Sequence, residues 1–242
     1  MLSSHHNGQL LSNGWINRNQ SLVFVGFGSE YKMPPERIHE LAIGLELSKL
    51  PFLWGLQEPE GVDSSELLPP GFSTRTSDQG VISLGWPPQL EMLAHSAIGG
   101  CIFHSGWGSI IESLGFGHPP ILMPMVADQG LNARLLVEKG IGYEVPRNED
   151  GSFTGDAVAK SIRLLMLEQE RAPIRVKAAT PQTAFANQDL HDIYINKFIN
   201  YSVNFEQNER HSPLQVNFSV YQPEEPCDSS ASTVKTRIVA VY

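Results

Sequence analysis

Short apolar runs recur along the chain at Leu22–Gly26, Pro51–Trp54, Val81–Leu84, Ile98–Phe103, Ile121–Met123 and Ile141–Val145. Within each run the apolar residues are consecutive rather than alternating, and most runs stop at Gly, Ser, Pro or a charged residue. That pattern predicts strands buried on both faces. Between them the spacing changes to a helical one. Pro34-Pro35 opens a segment with Ile38, Leu41, Ala42 and Leu45 on one face. Leu90, Leu93 and Ala94 predict a short helix, and Ser109–Leu114 another. Asn132–Lys139 predicts a helix stopped by Gly140. Val158, Ile162 and Leu165 predict one more, with Thr154 as its N-cap. Strands alternating with helices specify an α/β fold, a doubly wound parallel sheet of Rossmann-like type. Ligands of such sheets bind beyond the carboxyl ends of the strands. Here those ends lie after Val25, Leu84, Phe103 and Met123.

The pattern weakens after residue 170. Pro181 interrupts a helical stretch running from Ile174 to Phe185. An interior proline costs roughly 3 kcal/mol, so a break is expected there. Leu190, Ile193, Tyr194, Phe198 and Tyr201 then share one helical face. The expected organisation is a polar linker at 1–14, a main domain at 15–186, a C-terminal helix at 187–202, and an irregular or disordered tail at 203–242. Residues 57–72, rich in Pro, Glu and Gly, read as a surface loop.

Composition narrows the function. A chain of 242 residues with 41% hydrophobic content can bury a core. The net charge of −9 argues against nucleic-acid or anionic-membrane partners, which reward Lys/Arg excess. No run approaches the roughly 18 apolar residues of a membrane span. The two cysteines, Cys101 in an apolar run and Cys227 in a polar tail, imply no disulfide framework. With no stretch of signal-peptide character at the start, a cytoplasmic setting is expected. No His/Cys/Asp cluster has metal-ligand spacing, so no metal and no cofactor are expected. Gly26-Phe27-Gly28-Ser29 lacks the third spaced glycine of a dinucleotide-binding turn, which disfavours a dehydrogenase.

The candidate chemistry is concentrated between residues 86 and 129. Trp86 follows a strand and offers an aromatic platform, or caps the sheet edge. Gln89 and Glu112 offer polar contacts to a ribose. Alternatively, Gln89 satisfies a helix start, and Ser109-Ile110-Ile111-Glu112 forms a capping box. His104 ends a strand, Gly106 and Gly108 let backbone approach an anion, and Ser109 opens a helix whose positive end suits a diphosphate. A structural histidine is the other reading of His104. Ser29 is a second phosphate-side candidate or a simple turn serine. Asp128 and Gln129 suit a vicinal diol, or form an N-cap pair.

Taken in order, Trp86, Pro88-Gln89, His104, Gly106-Trp107, Ser109, Glu112 and Asp128-Gln129 closely resemble the donor-binding box of plant UDP-dependent glycosyltransferases. The phrases Val25–Glu30, Gly44–Ser48 and Asn132–Leu136 are similar to the branch that adds a sugar to an existing glycoside, which includes rhamnosyltransferase-like members. The resemblance implies the C-terminal, donor-binding half of a GT-B type glycosyltransferase. It further implies that Trp86 stacks on uracil, Gln89 and Glu112 hold the ribose, and His104, Ser109 and the Trp107–Ser109 backbone hold the phosphates. Asp128 and Gln129 then hold the transferred sugar, and the C-terminal helix packs against the N-terminal domain. Two positions depart from the pattern. Pro87 stands where the family usually pairs both backbone groups with uracil, and loss of the N–H weakens that contact by about 0.5–1.5 kcal/mol. Gly108 stands where asparagine is commonest.

The resemblance also implies a base, a histidine oriented by an aspartate in an acceptor-binding domain. Neither His5 nor His39 has that context, so no catalytic residue is assigned. The expected partner is a UDP-sugar donor. A small-molecule glycoside acceptor, such as a flavonoid or terpenoid, joins only with an acceptor domain, and little activity is expected of the chain alone. The alternatives are a donor-binding subunit of a split enzyme and a non-catalytic, decayed product.

Overall fold

Val23 and Val25 face one hydrophobic cluster while Leu22 and Phe24 face another, so the strand they form is buried on both sides. This is why its apolar residues are consecutive. The computed structural model describes residues 21–28, 31–57, 67–85, 88–185 and 187–211. The expected linker at 1–14, residues 212–242 of the expected tail, and the candidates Ser29, Trp86 and Pro87 lie outside them.

The strands are β1 (Leu22–Gly26), β2 (Phe52–Leu56), β3 (Gly80–Leu84), β4 (Ile98–Phe103), β5 (Pro120–Leu122) and β6 (Tyr143–Glu144). The helices are α1 (Pro35–Ser48), α2 (Phe72–Arg75), α3 (Gln89–Leu93), α4 (Trp107–Gly115) and α5 (Gln129–Lys139), followed by α6 (Gly155–Leu167), α7 (Ala172–Ala179), α8 (Gln182–Phe185) and α9 (Gln188–His211). The strands form one parallel sheet in the order β3-β2-β1-β4-β5-β6. Val25 pairs with Trp54 on one side and Ile102 on the other. The order reverses between β1 and β4, and a doubly wound sheet opens a crevice at such a point.

Two cores sandwich the sheet. Leu41 and Leu45 of α1 and Val158, Ile162 and Leu165 of α6 fill one face. Met92 and Leu93 of α3, Ile110 and Leu114 of α4, and Ala133 and Leu136 of α5 fill the other. Local chemistry sets the helix ends. Pro35 occupies the first turn of α1. Gly140 closes α5 at φ 66°, and Thr154 Oγ1 accepts the Ala157 N–H at 3.2 Å.

Several boundaries differ from the sequence reading. α4 begins two residues earlier, at Trp107, and α5 three residues earlier, at Gln129. β6 shrinks to Tyr143–Glu144. The 57–72 segment is not wholly a surface loop, since Leu67 and Phe72 are each 1% exposed and anchor its end in the core. The helical stretch around Pro181 breaks into α7 and α8. The irregular tail expected from 203 is corrected for 203–211, which continue α9. That stretch is polar but carries no helix breaker before Pro213, and polarity alone does not end a helix.

By internal contacts the chain divides into residues 1–192 and 193–242. In the second unit Ile193, Tyr194, Phe198 and Tyr201 are exposed. No helix among the described residues is long and apolar enough to cross a membrane.

α1 and α6 approach closely at Gly44. A Cβ there would lie 2.5 Å from Val158 Cβ and 2.9 Å from the Gly155 carbonyl oxygen. Gly44→Ala should therefore destabilise the protein by about 1–3 kcal/mol in urea titrations, overriding alanine's helix preference of about 1 kcal/mol. A more stable variant would mean that the two helices have room to spare.

His118 follows α4 and is buried, with its ring Nε2–H donating to the Leu93 carbonyl at 2.7 Å. Burial pushes its pKa below the ordinary 6.5, and the bond to Leu93 opposes that only in part. Below about pH 6.5 the unfolded chain therefore takes up a proton that the folded one refuses. Stability should be full above that pH and fall as the pH drops toward the lowered native value. Urea midpoints from pH 7.5 to 5.5 should decline for the native sequence and decline less for His118→Gln.

Candidate functional site

The crevice at the β1/β4 reversal is an open cleft of about 750 Å³. Its walls come from the loops and helix starts that follow the carboxyl ends of β1, β3, β4 and β5. After β1 the chain turns at Gly28, whose φ of +67° suits glycine. A Cβ there would stand 2.9 Å from His104 Cε1, and one at Gly106 would stand 2.5 Å from His104 Nε2. The imidazole thus lies between two stretches of bare backbone. Ser105, wholly buried, takes the left-handed conformation at φ 68°. Gly106 is then the N-cap of α4 and provides no side-chain cap.

That start matters chemically. The first intrahelical bond of α4 runs from the Ile110 N–H to the Gly106 carbonyl at 3.0 Å. The N–H groups of Trp107, Gly108 and Ser109 therefore precede the helical ladder and open beside His104 at the positive end of the helix. A Cβ at Gly108 meets nothing within 4 Å, so the cleft is open in front of that turn. Because the helix begins at Trp107, Ser109 is its third residue, and the capping-box alternative for Glu112 does not form.

Glu112 instead reaches across to α3. Gln89 Nε2–H donates to Glu112 Oε2 at 2.6 Å, which joins the two helices at one end of the cleft. At the other end lies the loop after β5. Asp128 is exposed and holds the N-cap position of α5 without capping it by its side chain. Its Oδ2 accepts from Asn132 Nδ2 at 3.0 Å. Gln129 Oε1 accepts the Met125 and Val126 N–H groups at 2.9 and 3.0 Å, so its amide oxygen is committed to the loop and its Nε2 donors remain. Arg147 braces the same loop by donating to the Pro124 and Gly151 carbonyls. Burial, and then the nearby Arg37, lower the Arg147 pKa from its ordinary value.

Gln89, His104, Trp107, Gly108, Ser109, Glu112, Asp128 and Gln129 all line this one cleft. These are the expected residues that fall within the described chain. Sequence reasoning missed Tyr31, Val126 and Ala127, which also line it. Ala127 lies in the left-handed region at φ 54°, which no residue type signals when it is not glycine. Cys101 lies outside the chemistry: it is buried, and desolvation pushes its thiol up to about 12. Among the described residues no group of three His, Cys, Asp or Glu side chains could hold a metal ion.

Known proteins share this architecture. Residues 11–168 match the family described as UDP-glucoronosyl and UDP-glucosyl transferase. The chain is 45% identical over 189 residues to soyasaponin III rhamnosyltransferase of Glycine max, covering 76% of this chain and 39% of that protein. Among solved structures, a UGT transferase from Siraitia grosvenorii in complex with UDP is 30% identical, with a TM-score of 0.67, covering 83% of this chain and 47% of that one. UGT2 of Phytolacca americana, complexed with UDP-2fluoro-glucose and pterostilbene, is 29% identical with a TM-score of 0.67, covering 79% and 44%. The chain spans about two fifths of the length of the curated relatives it matches.

Gly28→Ala should force a methyl group against His104 at a strained φ. In aromatic 1H–13C spectra the His104 ring signal should move while that of the distant His118 stays. An unmoved His104 signal would mean that the ring does not abut this turn.

Proposed function

The chain belongs to the plant UDP-glycosyltransferase family, and we propose that its cleft binds a UDP-sugar donor. One observation carries this reading. A carboxylate–amide pair, an uncapped helix start beside an imidazole, and an Asp-Gln pair line a single cleft at the sheet's switch point. Glu112, held by Gln89, accepts the ribose hydroxyls. His104 and the Trp107–Ser109 N–H groups receive the diphosphate. Asp128 and the Gln129 amide hydrogens receive the sugar hydroxyls. From the sequence alone we assign Trp86 and Pro87 to uracil recognition and Ser29 to the phosphates.

In the transfer itself, negative charge builds on the departing diphosphate as the bond from the anomeric carbon to the phosphate oxygen breaks. Preorganised N–H donors in a partly enclosed cleft stabilise that charge more in the transition state than in the ground state. Backbone dipoles supply this without a metal ion. The acceptor attacks from the opposite side with inversion, and its hydroxyl proton goes to a base. We place that base and the acceptor surface, for a small-molecule glycoside, in the part of the enzyme corresponding to the relatives' remaining length.

Calorimetric titration of the full chain with UDP, with and without EDTA, tests the reading. Saturable binding indifferent to EDTA is expected. His104→Ala should weaken it about tenfold, the scale of one charge-assisted hydrogen bond. No heat at millimolar UDP, or an unchanged affinity in the variant, would contradict the assignment.

A further inference from the structure

Asn132, in the first turns of α5, joins the two loops that carry the phosphate and sugar ends of the cleft. Its Nδ2 donates to the Ser105 carbonyl at 3.1 Å and to Asp128 Oδ2 at 3.0 Å. Both partners are pure acceptors, so the amide can face them only with its nitrogen, and both of its hydrogens are used. Each bridged loop contains a non-glycine residue in the left-handed region, Ser105 at φ 68° and Ala127 at φ 54°. Such conformations persist only where their surroundings over-determine them. The Ser105 side chain does not supply that constraint, because its buried Oγ has no hydrogen-bond partner among the described residues. Its carbonyl does, through Asn132. Among the described residues, the side chains of the second loop's other braces, Arg147 and Gln129, hydrogen-bond only to residues at 124–126 and 151 and do not reach the first loop.

We propose that Asn132 is a positioning residue that locks the Asp128 carboxylate to the phosphate-facing turn, holding sugar and diphosphate in one mutual register. This rests on reading the cleft as a UDP-sugar site. The N–H groups that face the phosphates are fixed by α4 itself, whereas Asp128 meets only the sugar. Loss of the bridge should therefore weaken a sugar-bearing donor more than UDP alone.

Two variants of the full chain test this: Asn132→Leu, which removes the donors, and Asn132→Asp, which keeps the shape and sets a carboxylate against Asp128. Amide hydrogen exchange in the free chain reads the bridge without any ligand. Exchange should quicken together at Ile110, whose N–H closes on the Gly106 carbonyl, and at Met125 and Val126, whose N–H groups are held by Gln129, while β1 stays protected. Quickening confined to 129–133, or none, would overturn the proposal. Calorimetry with UDP and UDP-glucose reads the consequence. UDP-glucose affinity should fall about tenfold and UDP affinity less than about threefold, as expected for losing one hydrogen-bonded carboxylate contact. Equal losses for both ligands would overturn the positioning role. Should the native sequence bind neither nucleotide, the donor-site reading fails, while the exchange pattern still decides whether the two loops are coupled.

Discussion

Everything at the cleft depends on how α4 begins. Its first N–H groups need an acceptor that the helix cannot give, and Gly106 offers no side chain to cap them. A helix start left open to a partly enclosed cleft is stable when an anion or water answers it. The sheet aims this start: β4 lies beside β1 at the reversal of strand order, so the turn at His104 faces the turn at Gly28. The close approach of backbone at Gly28 and Gly106 then fixes where the imidazole can lie.

The two ends of the cleft are built on the same principle, with each polar group held by a neighbour before a ligand arrives. Glu112 is held by Gln89 from another helix. Asp128 is held by Asn132, and Gln129 is tied into its own loop. Such preorganisation lowers the ordering cost of binding and the reorganisation needed as charge develops. The two apolar cores make it possible by gripping the sheet from both faces, so the strand ends that carry these loops are rigid.

Much of this was legible in the sequence because buried parallel strands leave uninterrupted apolar runs, and each run identified a strand. The cleft-lining residues were legible because the sequence packs most of them between 89 and 129, and strand–helix alternation brings Gln89, His104 and Gln129 to one cleft. What stayed hidden was conformational. Left-handed Ser105 and Ala127 carry no compositional mark. The helix start at Trp107 was obscured because Gly106 has no capping side chain to announce it, and the capping-box pattern at Ser109 pointed two residues too far; at Gln129 the N-cap residue type was present as Asp128, but its side chain caps nothing. Leu67 and Phe72 were read as loop because their polar and Gly/Pro neighbours dominate the local composition, while their burial is decided by the distant core. The roles of Gln129's two amide ends could not be read from sequence at all, since they depend on how the 125–129 turn closes.

The central claim, that the open start of α4 receives a nucleotide's phosphates, is tested most directly by amide chemical-shift mapping. The full chain is titrated with UDP while the 1H–15N signals of Trp107, Gly108 and Ser109 are followed. The account predicts that these three amides move most, and downfield, as hydrogen bonds to phosphate form. Signals that stay fixed there while others shift elsewhere would contradict it.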